Sequence, residues 1–240
     1  MSFTTLRHAL LYNPGSLFSN VGVLLLCEKG VRSQYALTPI DMQHDNNTAG
    51  FLRLNPMGKV PVLIHDGQAI PDTLAMARFL DPSNDLLSQD AKAVALVERW
   101  RQVRVVALWI GKKRSDQDTS LMEAQLTKAR ERIDREATVR LAAHDDRAHI
   151  LLSHTAYLHH RQQWQRLLDD SEDALAQHQP YLLDKDRFSL VDIYATSFLF
   201  WYLQKVDPSA ETVFTGRRRL EQYYYRQLDR SSVRDAFNLS

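Results

Sequence analysis

The chain has 240 residues, a formal net charge of +1 at pH 7, 44% hydrophobic residues and 25% charged residues. This composition is typical of a globular protein that builds its core without disulfides or metals, and the length favours two domains. The balanced charge gives no reason to expect nucleic acid or an anionic membrane as a partner. The single cysteine, Cys27, excludes an intrachain disulfide and fits a reducing compartment.

The sequence also carries no sign of export or membrane attachment. Residues 1–10 hold no apolar run long enough for a signal peptide, and the apolar stretch 21–27 is far shorter than the roughly 20 residues that span a bilayer. The last residues, 238–240, lack the cysteine of a prenylation box. We therefore expect a cytoplasmic protein that does not bind membranes.

Residues 1–80 alternate short apolar runs with turn signals, which predicts a small α/β domain. The predicted strands are 8–12, 34–40, 60–64 and 68–70, and the predicted helices are 17–29, 48–54 and 72–80. We expect the first two strands to be parallel because a helix joins them, and the last two to form an antiparallel hairpin. Gly30 fits the left-handed position that follows a helix.

The second half has a different pattern of apolar and polar residues. Residues 81–88 are rich in turn formers and contain Pro82, which predicts a linker. Beyond it strand signals vanish, and the helical pattern predicts an all-α bundle over 89–240. The predicted helices are 91–110, 121–143, 150–178, 189–206 and 217–230.

Two segments of the first half point to a binding site. Residues 55–63 read NPMGKVPVL, and Asp72-Thr73 opens a predicted helix whose free N–H groups attract an anion. Ser16 opens another helix after a turn at 13–15. From these residues alone, Ser16, Asp72 and Thr73 could equally be N-caps, and Pro61 an ordinary trans proline at a strand start.

Together the two segments resemble the glutathione-binding half of glutathione transferases of the serine type. The resemblance implies a thioredoxin-like domain over 1–80, followed by the all-helical domain, and a cis bond before Pro61. It also implies that glutathione, as co-substrate, is bound by a set of residues in this half, with Ser16 as the catalytic residue that hydrogen-bonds the sulfur and Ser19 as second candidate. The implied glutathione-binding residues are Ser16, Lys59, Val60, Pro61, Asp72 and Thr73.

The helical half supports the same resemblance. Ser189 and Asp192 have the spacing of a capping box, with Phe188 and Ile193 as its hydrophobic staple, and this pattern opens a central helix in the family. Residues 112–150 form a long, charged insertion. With Ser16-Leu-Phe-Ser19 and Asp72-Thr73, this insertion is similar to that of tetrachlorohydroquinone-dehalogenase-like transferases.

Other reactive side chains are predicted to be structural. Cys27 lies late in its helix, which favours a buried thiol over a nucleophile. The helical histidines lack the i, i+4 pairing of a metal site, so no metal is expected. These histidines are residues 144, 149, 154, 159 and 160. Trp201 and Tyr202 could line an acceptor pocket or belong to the core.

The function implied by the resemblance is a glutathione S-transferase in which the thiolate attacks a small, apolar electrophile. The alternatives are a glutathione-binding scaffold without turnover and a glutathione-dependent dehalogenase or ether-cleaving enzyme. The scaffold is favoured by the short acid Asp72 and by the absence of a basic residue at 21–22. We expect a homodimer that buries Phe51 against the partner subunit, or else Phe51 packed inside its own domain.

Overall fold

A computed structural model describes residue 3 and residues 6–88, 90–114, 119–178 and 180–239. The first half contains a 4-stranded mixed sheet with strand order β2-β1-β3-β4. Strands β1 and β2 are parallel, whereas β3 is antiparallel to both β1 and β4. The strands are β1 (His8–Tyr12), β2 (Ala36–Pro39), β3 (Val62–His65) and β4 (Gln68–Ile70).

The helices of the first half are α1 (Leu17–Glu28), α2 (Ala49–Leu54) and α3 (Thr73–Leu80). Short 3-10 helices lie at Arg32–Gln34 and Asp45–Asn47. The first of them shortens the predicted second strand at its start. Gly30 has φ +66°, so the left-handed residue expected after α1 is confirmed.

The strand register brings three chain segments to one edge of the sheet. Leu11 pairs with Val62, so the end of β1 lies beside the start of β3. Leu63 pairs with Ile70, so the end of β4 lies at the same edge. Since neighbouring strands are ~4.8 Å apart, the loops that lead to α1, β3 and α3 meet there.

The second half is helical throughout its described part, which confirms the predicted α/β plus all-α fold class. Its helices are α4 (Ala91–Gln102), α5 (Val105–Arg114), α6 (Ser120–Glu131), α7 (Thr138–Leu152), α8 (His154–His178), α9 (Leu190–Lys205), α10 (Glu211–Phe214), α11 (Arg218–Leu228) and α12 (Ser231–Phe237). No described helix is both long and apolar enough to cross a bilayer.

The predicted helices of this half were too long, and α10 and α12 were not predicted. The 121–143 helix is broken where Asp134 Oδ1 accepts the N–H of Glu136 at 3.0 Å. A new helix, α8, begins after Ser153, whose Oγ accepts the N–H of Ala156 at 3.0 Å. Such local hydrogen bonds from the backbone to side chains compete with the backbone hydrogen bonds of a continuous helix. The 91–110 helix breaks at 103–104, where tertiary packing buries Val103.

Helix α9 joins the two halves because it is buried almost along its whole length against α1 and α4. Around it, Trp100 makes edge-to-face contacts with Trp164 and Phe198 at ring distances of 5.7 and 5.6 Å. The predicted capping box at Ser189 and Asp192 is present. The two halves therefore share one apolar core.

The predicted linker is held by a buried carboxylate. Asp81 Oδ1 accepts a hydrogen bond from Lys29 Nζ at 2.7 Å, and Asp81 also accepts backbone N–H groups of residues 85–87. Burial opposes the charge, but the bonds from Lys29 and the backbone leave the pKa of Asp81 below its usual value. The division at 81–88 remains our proposal.

Helix α7 of the second half packs against the first half. Arg140 of α7 donates from Nε to Asn47 Oδ1 at 2.9 Å. It also packs on Gly58, where a Cβ atom would lie 2.4 Å from Arg140 Nε. Gly58 has φ +63°, a left-handed conformation that favours glycine. The close approach of Arg140 also leaves little room for a Cβ atom. A cavity of about 370 Å³ lies between α2 and the start of α7.

Phe51 packs inside its own domain, which is the alternative that the sequence left open. Its side chain is 0% exposed, and its ring meets Phe3 edge-to-face at 5.8 Å. A side chain already enclosed in this way cannot be buried further by a partner subunit. The expectation that Phe51 docks into a second subunit is therefore wrong.

Candidate functional site

Ser16 caps α1 at the sheet edge where the three loops meet. Asn13 shapes the preceding turn, since its Oδ1 accepts the N–H of Gly15 at 2.9 Å and its Nδ2 donates to Ile40 O at 3.0 Å. Ser16 Oγ accepts the N–H of Ser19 at 3.4 Å, a long bond for a cap. The half-buried hydroxyl keeps its proton for another acceptor.

Ser19, the second candidate, has a structural role. Its side chain is 0% exposed, and its Oγ accepts the N–H of Asn13 at 3.1 Å. This bond ties the turn after β1 to the first turn of α1. A side chain enclosed in this way cannot contact a ligand at the sheet edge. Ser16 is therefore the serine of the two that a ligand there could contact.

Two tryptophans stand next to the Ser16 turn. Trp201 of α9 donates from Nε1 to Gly15 O at 2.9 Å, and Trp109 of α5 meets it edge-to-face at 6.3 Å. Trp201 is 6% exposed and belongs to the core, so the half-buried Trp109 is the tryptophan of this pair that offers apolar surface. Tyr202 instead stacks on Trp164 in the core at 4.7 Å.

The loop before β3 is fixed by asparagine side chains. Asn46 Nδ2 donates to Gly58 O at 3.0 Å, and Asn55 Nδ2 donates to Lys59 O at 2.8 Å. The bond between Val60 and Pro61 is cis, as predicted.

Pro61 explains why residues 21–22 carry no basic side chain. A Cβ atom on Gly22 would lie 3.1 Å from Pro61 Cγ, so α1 approaches this proline closely. The neighbouring Val21 is 0% exposed. A long cationic side chain at either position would have to be buried, because both face protein.

Lys59 lies in a group of cations that comes from both halves of the chain. Its pKa is lowered, first by partial burial and then by nearby arginines, with one opposing acid. These neighbours are Arg104, Asp146, Arg140 and Arg147. The side chains of Lys59 and Arg147 are exposed, although burial lowers the pKa of each. The excess of positive charge favours an anionic ligand.

Asp72 is the N-cap of α3, which was the simpler interpretation of the sequence. Its Oδ1 accepts the N–H groups of Leu74 and Ala75 at 2.9 and 3.0 Å. Its Oδ2 accepts from Arg101 Nη2 at 2.8 Å, while 51% of the side chain stays exposed. Asp72 can therefore cap the helix and still contact a ligand, so its binding role remains a prediction.

Thr73 turns its side chain into the protein. Thr73 Oγ1 and Tyr194 Oη are 2.6 Å apart, and Thr73 is 5% exposed. Burial raises the pKa of Tyr194 to about 12. The backbone N–H of Thr73, the first residue of α3, has no acceptor within its helix. That N–H, and not the hydroxyl, is available to a ligand.

Cys27 is half-buried, and burial is the main cause that raises its pKa to about 11. The thiol is therefore protonated at neutral pH, which makes it a poor nucleophile. This agrees with the structural role expected from its place late in α1.

Sequence reasoning missed the residues that other elements bring to the site. Arg101 reaches Asp72, Tyr194 reaches Thr73, and Arg140 covers Gly58. None of the three lies in a sequence motif from which its partner could be predicted.

Comparison with known sequences finds matches to the part of the chain that holds this candidate site. Residues 15–82 match the family model for the N-terminal domain of glutathione S-transferases. Glutathione S-transferase 1 of Dianthus caryophyllus is 39% identical over 71 residues, which is 28% of this chain and 32% of the relative. The match thus spans about a third of that relative's length.

Solved structures extend the likeness to the whole chain. Gtt2 from Saccharomyces cerevisiae has a TM-score of 0.67 at 18% identity, covering 95% of this chain and 99% of that one. Beta-etherase LigF from Sphingobium sp. strain SYK-6 has a TM-score of 0.68 at 18% identity, covering 98% and 100%.

A glutathione-bound glutathione S-transferase from Methylobacillus flagellatus has a TM-score of 0.61 at 20% identity, covering 96% and 98%. At these identities the structural likeness shows the fold alone. The fold is that of glutathione transferases, and the sequence matches relate residues 15–82 to the N-terminal domain of glutathione S-transferases.

Proposed function

We propose that this chain is a glutathione S-transferase of the serine type with Ser16 as its catalytic residue. The observation that carries the proposal is the meeting of three segments at one edge of the sheet. Ser16 follows β1, the 59–61 segment precedes β3, and Asp72-Thr73 follows β4. These are the segments that the sequence singled out for glutathione.

Each part of glutathione has a suitable partner at this edge. The γ-glutamyl carboxylate binds the start of α3 through the N–H of Thr73, with its ammonium group facing Asp72. The cysteinyl backbone pairs with Val60 ahead of the cis Pro61. The glycine carboxylate lies towards Lys59 and its neighbouring arginines.

The chemistry follows from the place of Ser16. Its hydroxyl donates a hydrogen bond to the sulfur, and the positive end of α1, which has no acid in its first turn, further favours the thiolate. The thiolate attacks an electrophilic carbon, forming a C–S bond while the leaving group departs with its electron pair. Trp109 supplies apolar surface for the small electrophile, and binding both reactants together supplies proximity.

The test is a glutathione titration followed by turnover assays with aryl halides, aryl ethers, peroxides and quinones. A ligand that binds only the folded state stabilises it by about 2.7 kcal/mol at a hundred times its Kd, so the melting temperature should rise. No shift with millimolar glutathione and no retention on glutathione resin would contradict the proposal.

Binding without turnover is the second candidate. It is motivated by the short acid Asp72 and by the absence of a basic residue at 21–22. In that case glutathione still raises the melting temperature, but no thioether or other product forms with any acceptor. The insertion at 112–150 motivates the dehalogenase or ether-cleaving alternative, which chloride release or phenol release in the same assays would identify.

A homodimer, a cytoplasmic location and the dehalogenase-like subclass remain part of the proposal. Since Phe51 is enclosed in its own domain, a dimer must use other contacts. The insertion already covers part of the first half through Arg140, which restricts the surface that a second subunit can use.

A further inference from the structure

The sheet edge opposite Ser16 carries two facing histidines. His8 begins β1, His65 ends β3, and the antiparallel register pairs them directly. Opposed residues on one face of such a pair have Cβ atoms about 5 Å apart. Their rings accordingly lie close, with centroids 4.6 Å apart.

A carboxylate from the following turn faces both imidazoles. Asp66 has φ +48°, the left-handed conformation of a tight turn between β3 and β4. Its Oδ1 lies 3.0 Å from His8 Nε2, and its Oδ2 lies 3.6 Å from His65 Nε2. One ligand atom from each of the three side chains lies within 4.8 Å of the others.

The rest of the fold holds His65 in this orientation. Tyr35 Oη lies 2.7 Å from His65 Nδ1 and can accept a hydrogen bond from the Nδ1–H group, which leaves Nε2 with a free lone pair. Phe79 packs edge-to-face on the same ring at 4.7 Å. Such outer partners of a ligating histidine fix its tautomer and its direction.

We propose that His8, His65 and Asp66 form a binding site for a divalent metal ion of the zinc class. Two imidazole nitrogens and a carboxylate oxygen are a donor set that Zn²⁺ prefers, at about 2.0–2.2 Å each. Tetrahedral ligands at that range lie about 3.3 Å apart, so the observed spacing needs only small side-chain movements. The site is open to solvent, and water can supply the fourth ligand.

The location suggests a structural and not a catalytic role. The site lies at the start of β1 and the end of β3, whereas Ser16 follows the end of β1 and Pro61 precedes β3. A bound ion would cross-link these two strands and the turn that follows. We therefore expect metal to stabilise the fold while leaving glutathione binding unchanged, so this proposal stands or falls independently of the proposed function.

The test is calorimetric titration of the full chain with Zn²⁺, combined with thermal melting. The expected result is one equivalent bound and a higher melting temperature. His8→Ala and His65→Ala should each weaken binding at least about tenfold, and Tyr35→Phe about tenfold, because it removes the outer partner and no ligand. His154→Ala, an exposed histidine of α8, is the matched control and should bind like the wild type.

A second measurement separates loss of a ligand from loss of folding. Copper(II) binds nitrogen and oxygen donors more tightly than zinc, and its electron paramagnetic resonance spectrum reports nitrogen ligands directly. The expected spectrum shows two imidazole nitrogens in the wild type and one in His8→Ala. Absence of binding by the wild type would overturn the proposal. Equal binding by wild type, His8→Ala and His65→Ala would also overturn it.

Discussion

The serines that cap α1 and α9 are used differently. At the start of α9, Ser189 N and Oγ both donate to Asp192 Oδ2, at 2.8 and 2.7 Å. Leu182 N and Tyr223 Oη donate to Oδ1, each at 3.0 Å. At the start of α1, Ser16 Oγ accepts a single long bond and stays half-exposed.

At the start of α9 the capping groups are hydrogen-bonded within the protein, and we call this the closed helix start. At the start of α1 the serine hydroxyl can still bond a ligand, and we call this the open helix start. Burial raises the pKa of Asp192, and the four hydrogen bonds that it accepts oppose that shift. All of these groups are satisfied within the protein, so none is left for a ligand. The Ser16 hydroxyl can still donate a hydrogen bond, and it lies at the sheet edge where the three loops meet.

The aspartate caps offer the same comparison. Asp72 caps α3 and Asp90 caps α4. In each cap Oδ1 accepts the backbone N–H groups of the residues two and three positions further along the chain. Asp72 also lies beside the candidate glutathione site and pairs with Arg101. Asp90 is therefore a matched cap without a proposed ligand.

The largest expected effect is on stability, at the closed helix start. Asp192→Ala leaves four buried or partly buried donors without an acceptor, which should cost about 3–5 kcal/mol in the free energy of unfolding. Urea denaturation measures this. The exposed Asp186→Ala should change stability by less than about 0.5 kcal/mol. A loss below about 1 kcal/mol for Asp192→Ala would show that the network contributes little.

The next effect is on turnover, at the open helix start. Ser16→Ala should lower kcat about 100-fold, or ~2.7 kcal/mol, because it removes one donor to the sulfur, while glutathione affinity changes little. Steady-state kinetics and a glutathione titration separate the two quantities. Ser153→Ala removes a comparable serine cap at α8 and should leave kcat unchanged. Wild-type kcat in Ser16→Ala would exclude Ser16 as the catalytic residue.

The smallest effect distinguishes the two aspartate caps. Asp72→Asn should weaken glutathione binding about tenfold, because the charge that faces the ligand's ammonium group is lost. Asp90→Asn should bind glutathione like the wild type. Asparagine caps helices as well as aspartate does, so both variants should keep their melting temperatures. Equal affinities in the two variants would assign Asp72 to capping alone.

Much of the first half was predictable because its signals are local. The bounds of β1 and β4 agree with the prediction, and the turn at 65–68 and the left-handed Gly30 follow from residue type. In the second half periodicity predicted helices but missed their ends. The breaks near Asp134 and Ser153 depend on short polar bonds, and helical periodicity does not register such bonds.

The sequence by itself determined the fold class and the segments that carry the candidate site, because each depends on neighbouring residues. The cis bond before Pro61 was instead implied by the family resemblance. Only the tertiary structure decided which oxygen of Asp72 meets Arg101 and that the hydroxyl of Thr73 faces Tyr194. It also placed His8 opposite His65. Residues so far apart in the chain meet through strand register and helix packing, which no local pattern records.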